Sequence, residues 1–80
     1  MADGESEIDL KGLKCPLPAL FAKRALSRAR PGEDLLVIAD DPMAAIDVPH
    51  MCRQEGYEVV SLARDGAVSR MILKRPDATR

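Results

Sequence analysis

Apolar positions follow two rhythms along this chain, and prolines and glycines mark the changes between them. Leu35-Leu36-Val37-Ile38-Ala39 is an unbroken, partly β-branched run, the pattern of a strand buried at the centre of a sheet. Ahead of it, Pro18, Ala22, Ala25, Leu26 and Ala29 recur at a helical period, while Lys23, Arg24, Ser27, Arg28 and Arg30 fall on other faces. This predicts a helix over residues 19–30, with late basic residues that suit its negative end and Pro31-Gly32 to stop it. Before the helix, Ile8-Asp9-Leu10 is a short strand candidate, and Gly12 lies in the turn that follows. After the central run, Asp40-Asp41-Pro42 marks a second helix start, with Asp41 as N-cap and Pro42 at the first helical position. That helix is expected over about residues 42–55, with Ala45, Val48 and Cys52 on one face and Gly56 ending it. Pro49 is expected to kink or split it, and Asp47 is able to cap a second half. Residues 57–63 and 67–74 read as two strands joined through Arg64-Asp65-Gly66, a hairpin signal.

The order strand–helix–strand–helix–strand–strand predicts an α/β two-layer sandwich. Two helices pack on one face of a mixed four-stranded sheet, and each crossover is right-handed. The chain's 80 residues suffice for one domain, with an ordered core at about residues 7–75 and flexible tails at 1–6 and 76–80. A net charge of −1 and only one Tyr and one Phe exclude a general nucleic-acid binder with stacking platforms. No apolar run is long enough to span a membrane. The amino-terminal Met1-Ala2-Asp3-Gly4-Glu5-Ser6-Glu7 is acidic and lacks an apolar signal region, so a cytoplasmic monomer with reduced thiols is expected.

The candidate chemistry lies in Cys15-Pro16-Leu17-Pro18, where a loop meets the first helix. Prolines are tolerated in a first helical turn because their missing N–H has no intrahelical partner there. The spacing therefore sets Cys15 at or beside the N-cap, with Pro16 at the first helical position and Pro18 two further on. A helix N-terminus favours the thiolate, and Lys11 and Lys14 add positive charge. The dipole is worth about 0.3–1 kcal/mol, so only a moderate depression from a thiol pKa of about 8.5 is expected. Parallel first and second strands would bring Asp40 and Asp41 to the same sheet edge as Cys15, and that acidic pair opposes ionisation. Cys52 lies deep in the second helix, too far along its axis for a disulfide with Cys15, and reads as a packing residue. The same distance rules out His50 as a base for Cys15. His50 and Cys52 form His-x-Cys, but helical residues two apart face differently, and the ligands for a metal site are too few.

The stretch Ile8-Asp9-Leu10-Lys11-Gly12-Leu13-Lys14-Cys15-Pro16-Leu17-Pro18 resembles the signature of the TusA/SirA-like sulfur carriers, whose hallmark is Cys-Pro-x-Pro at the start of the first helix. Ala39-Asp40-Asp41-Pro42, then Asp47-Val48-Pro49 and Cys52, resembles the second segment of the TusA branch. Arg30-Pro31-Gly32-Glu33 and the final hairpin fit too, so the likeness spans about residues 8–75. It implies the same two-layer sandwich, and a persulfide carried on Cys15 with Pro16 and Pro18 supporting the helix tip. It also implies a cysteine desulfurase as donor and a downstream relay protein as acceptor, with no cofactor. In one branch the relay leads to 2-thiolation of the wobble uridine in tRNA; others serve molybdenum cofactor synthesis or sulfur oxidation. Leu17 departs from the charged residue common at the x position, which bears on the choice of docking partner. Leu17, Leu20, Lys23 and Asp41 are expected to frame the docking surface around the Cys15 edge. Two rival readings are a regulatory interaction module in which Cys15 is only a helix cap, and a redox protein that pairs Cys15 with Cys52.

Overall fold

The computed structural model describes residues 5–76, so the outer parts of both expected tails lie outside the described residues. The elements are β1 (Glu5–Asp9), α1 (Leu17–Arg28), β2 (Asp34–Ala39), α2 (Ala44–Glu55), β3 (Glu58–Asp65) and β4 (Val68–Lys74). They form the expected mixed four-stranded sheet, in the order β1-β2-β4-β3. β1 runs parallel to β2, and β4 lies antiparallel to both β2 and β3. Parallel β1 and β2 are joined through α1, so both strands deliver the chain to the same edge of the sheet, where α1 and α2 begin.

The register explains the unbroken apolar run of β2. Leu35, Val37 and Ala39 pair with Leu73, Met71 and Ser69 of β4, and these three rows are buried beneath the helices. Leu36 and Ile38 alternate to the opposite face, where Ile38 is buried apart from the main core. α1 buries Pro18, Ala22 and Leu26 at four-residue spacing, and Ala25 and Ala29 on the expected stripe are half-buried. α2 buries Ala44, Val48, Met51 and Cys52. The last carbonyls of α1 have a distant partner: Arg75 Nη1 donates to the carbonyls of Ser27 at 3.2 Å and Ala29 at 2.8 Å.

Three local expectations need correction. Asp41 is not the N-cap of α2, which begins at Ala44 after Met43, and Pro42 precedes the helix. The Asp41 carboxylate reaches the Met43 N–H only at 3.5 Å, because its other oxygen is engaged by a more distant amide. Backbone carbonyls of Asp41 and Met43 satisfy the first N–H groups of the turn instead. Nor does Pro49 split the helix: α2 is continuous from Ala44 to Glu55, with Pro49 in its second turn and Asp47 in its first. The hairpin turn sits one residue later than expected, since Asp65 pairs with Val68 and leaves Gly66-Ala67 as a two-residue loop. Gly66 has φ 64° and no non-glycine residue among the described residues has positive φ, the sign pattern of a type II′ turn.

Gly56 closes α2 in the left-handed region with φ 81°, and the Tyr57 N–H returns to the Cys52 carbonyl at 2.8 Å. A Cβ at this position meets no atom within 4 Å, so substitution brings backbone strain without a clash. Gly56→Ala is therefore expected to cost about 1 kcal/mol. Urea unfolding should show a lower midpoint at unchanged slope; an unchanged midpoint would mean that the cap is not under conformational constraint.

Candidate functional site

The loop between β1 and α1 is pinned to the end of β2. Leu10 N–H donates to the Ile38 carbonyl at 2.7 Å, extending the β1–β2 pairing by one bond. Gly12, with φ 92°, then turns the chain, and its N–H donates to Asp40 Oδ1 at 2.9 Å. The Cys15 N–H donates to Asp41 Oδ2 at 2.5 Å. Asp40 and Asp41, leaving the central strand together, thus fix the loop at two amides. The Cys15–Pro16 peptide is cis. Pro16 occupies the N-cap of α1, and Pro18 the second helical position, each one place earlier in the helix frame than expected, because the helix starts one residue later. Cys15 stands just ahead of the cap and is exposed.

The thiol has an unexpected partner. Cys15 Sγ donates to Asp47 Oδ2 at 2.7 Å. This hydrogen bond raises the thiol pKa above its ordinary value, helped by desolvation and by the negative charges of Asp47 and Asp41. The expectation of a moderately depressed pKa is thereby overturned. A weak helix dipole acts from one side, while a carboxylate in direct contact stabilises the protonated form. Asp47 was expected to cap a broken helix, and its position in the first turn of α2 is what brings it to Cys15.

From Cys15 a cleft of about 420 Å³ runs between α1 and α2. Leu20, Lys23, Asp47, His50 and Glu55 are among the side chains that line it. The Lys23 ammonium and the Glu55 carboxylate pair at 3.1 Å across the two helices. Four residues were expected to frame docking. Leu20 and Lys23 line the cleft, Leu17 is exposed at the start of α1 outside its lining, and Asp41 supports Cys15 from behind through the backbone. His50 was expected to be remote from Cys15. It shares this cleft instead, because both helices start at the same sheet edge, although no hydrogen bond joins the two among the described residues. No group of three His, Cys, Asp or Glu side chains among the described residues is placed to hold a metal ion, and no described helix is long and apolar enough to cross a membrane.

Cys52 behaves as a packing residue. It is fully buried, and desolvation pushes its thiol up to about 11, with Arg53 pulling weakly the other way. Thiol titration of the native chain with an aromatic disulfide is expected to count one reactive group, and two after denaturation. The stability consequence has a definite sign. Folding favours the protonated Cys52, so its contribution is fully present below about pH 9 and is lost as pH rises towards about 11. At about 1.4 kcal/mol per pKa unit, this removes on the order of 2–3 kcal/mol, a fall that Cys52→Ala should not share. Equal alkaline slopes in the two proteins would refute the assignment.

A family model described as sulfurtransferase TusA matches residues 6–75. The chain belongs to the TusA family. Its fold matches a crystal structure of a SirA-like protein from Desulfitobacterium hafniense with a TM-score of 0.76 and 25% sequence identity, over 89% of this chain and 97% of that one. At the level of the family, then, it is a sulfur carrier of the sulfurtransferase TusA type that acts in sulfur relay with partner proteins. Asp40 was expected at this edge only as part of an acidic pair, without its hydrogen bond to Gly12, and Asp47 was expected only as a helix cap. The signal for Asp47 was available: a first-turn residue of the second helix must lie close to a cysteine at the tip of the first when two parallel crossovers share an edge.

Proposed function

We infer that Cys15 is the sulfur-carrying residue, accepting sulfane sulfur from a cysteine desulfurase and passing it to a relay protein. The observation that carries this reading is the exposed thiol at the head of an open cleft, on a backbone anchored by Asp41. Visiting proteins must bring their own cysteine within bonding distance, and an exposed, fixed sulfur meets that need at little entropic cost. In the loading step the Cys15 sulfur attacks the terminal sulfur of the donor persulfide. A new S–S bond forms, the donor S–S bond breaks, and the donor is left as a thiolate that takes up the proton Cys15 released. The second transfer repeats this exchange with the acceptor cysteine, so no metal or organic cofactor is required. Pro16 and Pro18 stiffen the helix tip, while Leu17, Leu20, Lys23 and Asp41 form the docking frame.

The relay is assigned to 2-thiolation of the wobble uridine in tRNA, on the likeness of Ala39-Asp40-Asp41-Pro42 and Asp47-Val48-Pro49 to the TusA branch. Incubation with a cysteine desulfurase and cysteine should add one sulfur atom to the peptide that contains Cys15. A gain located on Cys52, or no gain, would refute the carrier role.

A further inference from the structure

Cys15 is surrounded by negative charge. Asp47 Oδ2 accepts from its Sγ at 2.7 Å, Asp41 Oδ2 from its amide at 2.5 Å, and Asp40 Oδ1 from Gly12 of the same loop at 2.9 Å. No cation nearby is paired with Asp47 among the described residues. On the loop, Lys11 lies 3.9 Å from Asp9, and Lys14 makes no ion pair among the described residues. From α1, Lys23 is paired with Glu55 of α2; His50 of α2 shares the cleft without bonding to the thiol. Asp47, half-buried beside the reactive sulfur, has no cationic partner among the described residues.

We propose that Asp47 is a positioning residue that holds Cys15 as a thiol between encounters, and that a partner surface which brings a lysine or arginine to Asp47 releases it for attack. The proposal rests on Cys15 being the sulfur acceptor. A thiol that donates to a carboxylate keeps its proton, so small oxidants and electrophiles meet its unreactive form. Pairing Asp47 with an incoming cation removes both the acceptor and the repulsion that disfavour the thiolate. During transfer the proton that Cys15 releases is taken up by the departing donor thiolate, while the S–S bond forms on Cys15 and breaks on the donor. Atoms and electrons balance without an oxidant or reductant. Once loaded, the inner sulfur carries no hydrogen, so the Asp47 contact exists only in the empty carrier.

The test uses two methanethiosulfonate reagents of similar size, one bearing a trimethylammonium group and one a sulfonate. In each, the Cys15 thiolate attacks the thiosulfonate sulfur, a mixed disulfide forms and methanesulfinate leaves. At low salt the cationic reagent is expected to react at least about tenfold faster than the anionic one, because the thiolate and the neighbouring carboxylate both attract the cation and repel the sulfonate. Asp47→Asn keeps the shape and an acceptor oxygen but removes the charge. It should reduce this ratio several-fold, speed iodoacetamide alkylation near pH 7 several-fold, and leave the alkaline limiting rate unchanged. Asp47→Ala should act the same way. An unchanged ratio and unchanged pH profile in both variants, with Cys52 still unreactive, would overturn the proposal. If a variant exposes Cys52, the same comparison in a Cys52→Ala background decides, and an unchanged ratio and pH profile there overturn the lock. None of these reagents involves sulfur transfer. Normal loading with unaltered rates therefore sinks the lock alone, whereas rates as expected with no loading on Cys15 sink the carrier reading.

Discussion

Cys15→Ser is expected to abolish sulfur loading completely while leaving the fold intact. Serine is nearly isosteric, its hydroxyl is able to donate to Asp47 as the thiol does, and the site is exposed, so stability should change by no more than about 0.5 kcal/mol. The chemistry has no comparable tolerance. The thiolate is the nucleophile in persulfide exchange, and a hydroxyl at neutral pH supplies no equivalent. Cys52→Ser should load normally, because a fully buried thiol held protonated towards pH 11 neither meets a partner nor attacks one. Intact mass after incubation with the desulfurase system separates the three readings. One added sulfur in wild type and in Cys52→Ser, and none in Cys15→Ser, is the carrier result. Full function retained by Cys15→Ser would instead favour a regulatory interaction module, although Pro16 and not Cys15 occupies the N-cap. Loss of two protons under mild oxidant would mean pairing with Cys52, although the structure leaves both cysteines free.

Where the sequence reading succeeded, the cause of a feature was local or periodic. The apolar run 35–39 is buried because β2 is hydrogen-bonded on both sides and covered by helices on one face, and the pattern encodes that environment directly. The stripe through Pro18, Ala22 and Leu26 placed α1 in the same way. Cys52 fell on the apolar face of α2 for the same periodic reason and is buried.

The misreadings share one physical source, which is competition from partners distant in sequence. Asp41 has strong local preference for capping, yet its carboxylate turns to the Cys15 amide, 26 residues away. The Cys15 thiol was judged by its own helix dipole, and a carboxylate 32 residues away reversed the direction of its shift. Pro49 was expected to kink or split α2, but the packing of Val48, Met51 and Cys52 keeps the helix continuous through it. The capping and dipole preferences are worth about 1 kcal/mol, and a tertiary contact of similar size decides; the proline penalty is larger, about 3 kcal/mol, and takes the burial of several side chains to offset. Asp41 and Asp47 reach Cys15, and Asp40 reaches Gly12 of the same loop, only because β1 and β2 are parallel. The sheet topology therefore carries the information that the residue pattern lacks.

Leu26→Ala should be the most destabilising single truncation considered, and it separates folding from chemistry. Leu26 is fully buried on α1 within the main core, so truncation removes its transfer energy and leaves a cavity, together about 2–5 kcal/mol. For a chain of 80 residues the total stability is on the order of 4–12 kcal/mol, so the loss is a large share of it. The two thiols report different consequences of this change. Cys52 reacts only when the core opens, and its labelling in native buffer should accelerate about 30-fold to several thousandfold, in step with the loss of stability. Cys15 is already exposed, and its labelling rate should stay within a factor of about two as long as the folded state predominates. Equal acceleration of both thiols would mean that α1 packing governs the site's reactivity. Unchanged protection of Cys52 would mean that the interior around it does not depend on Leu26.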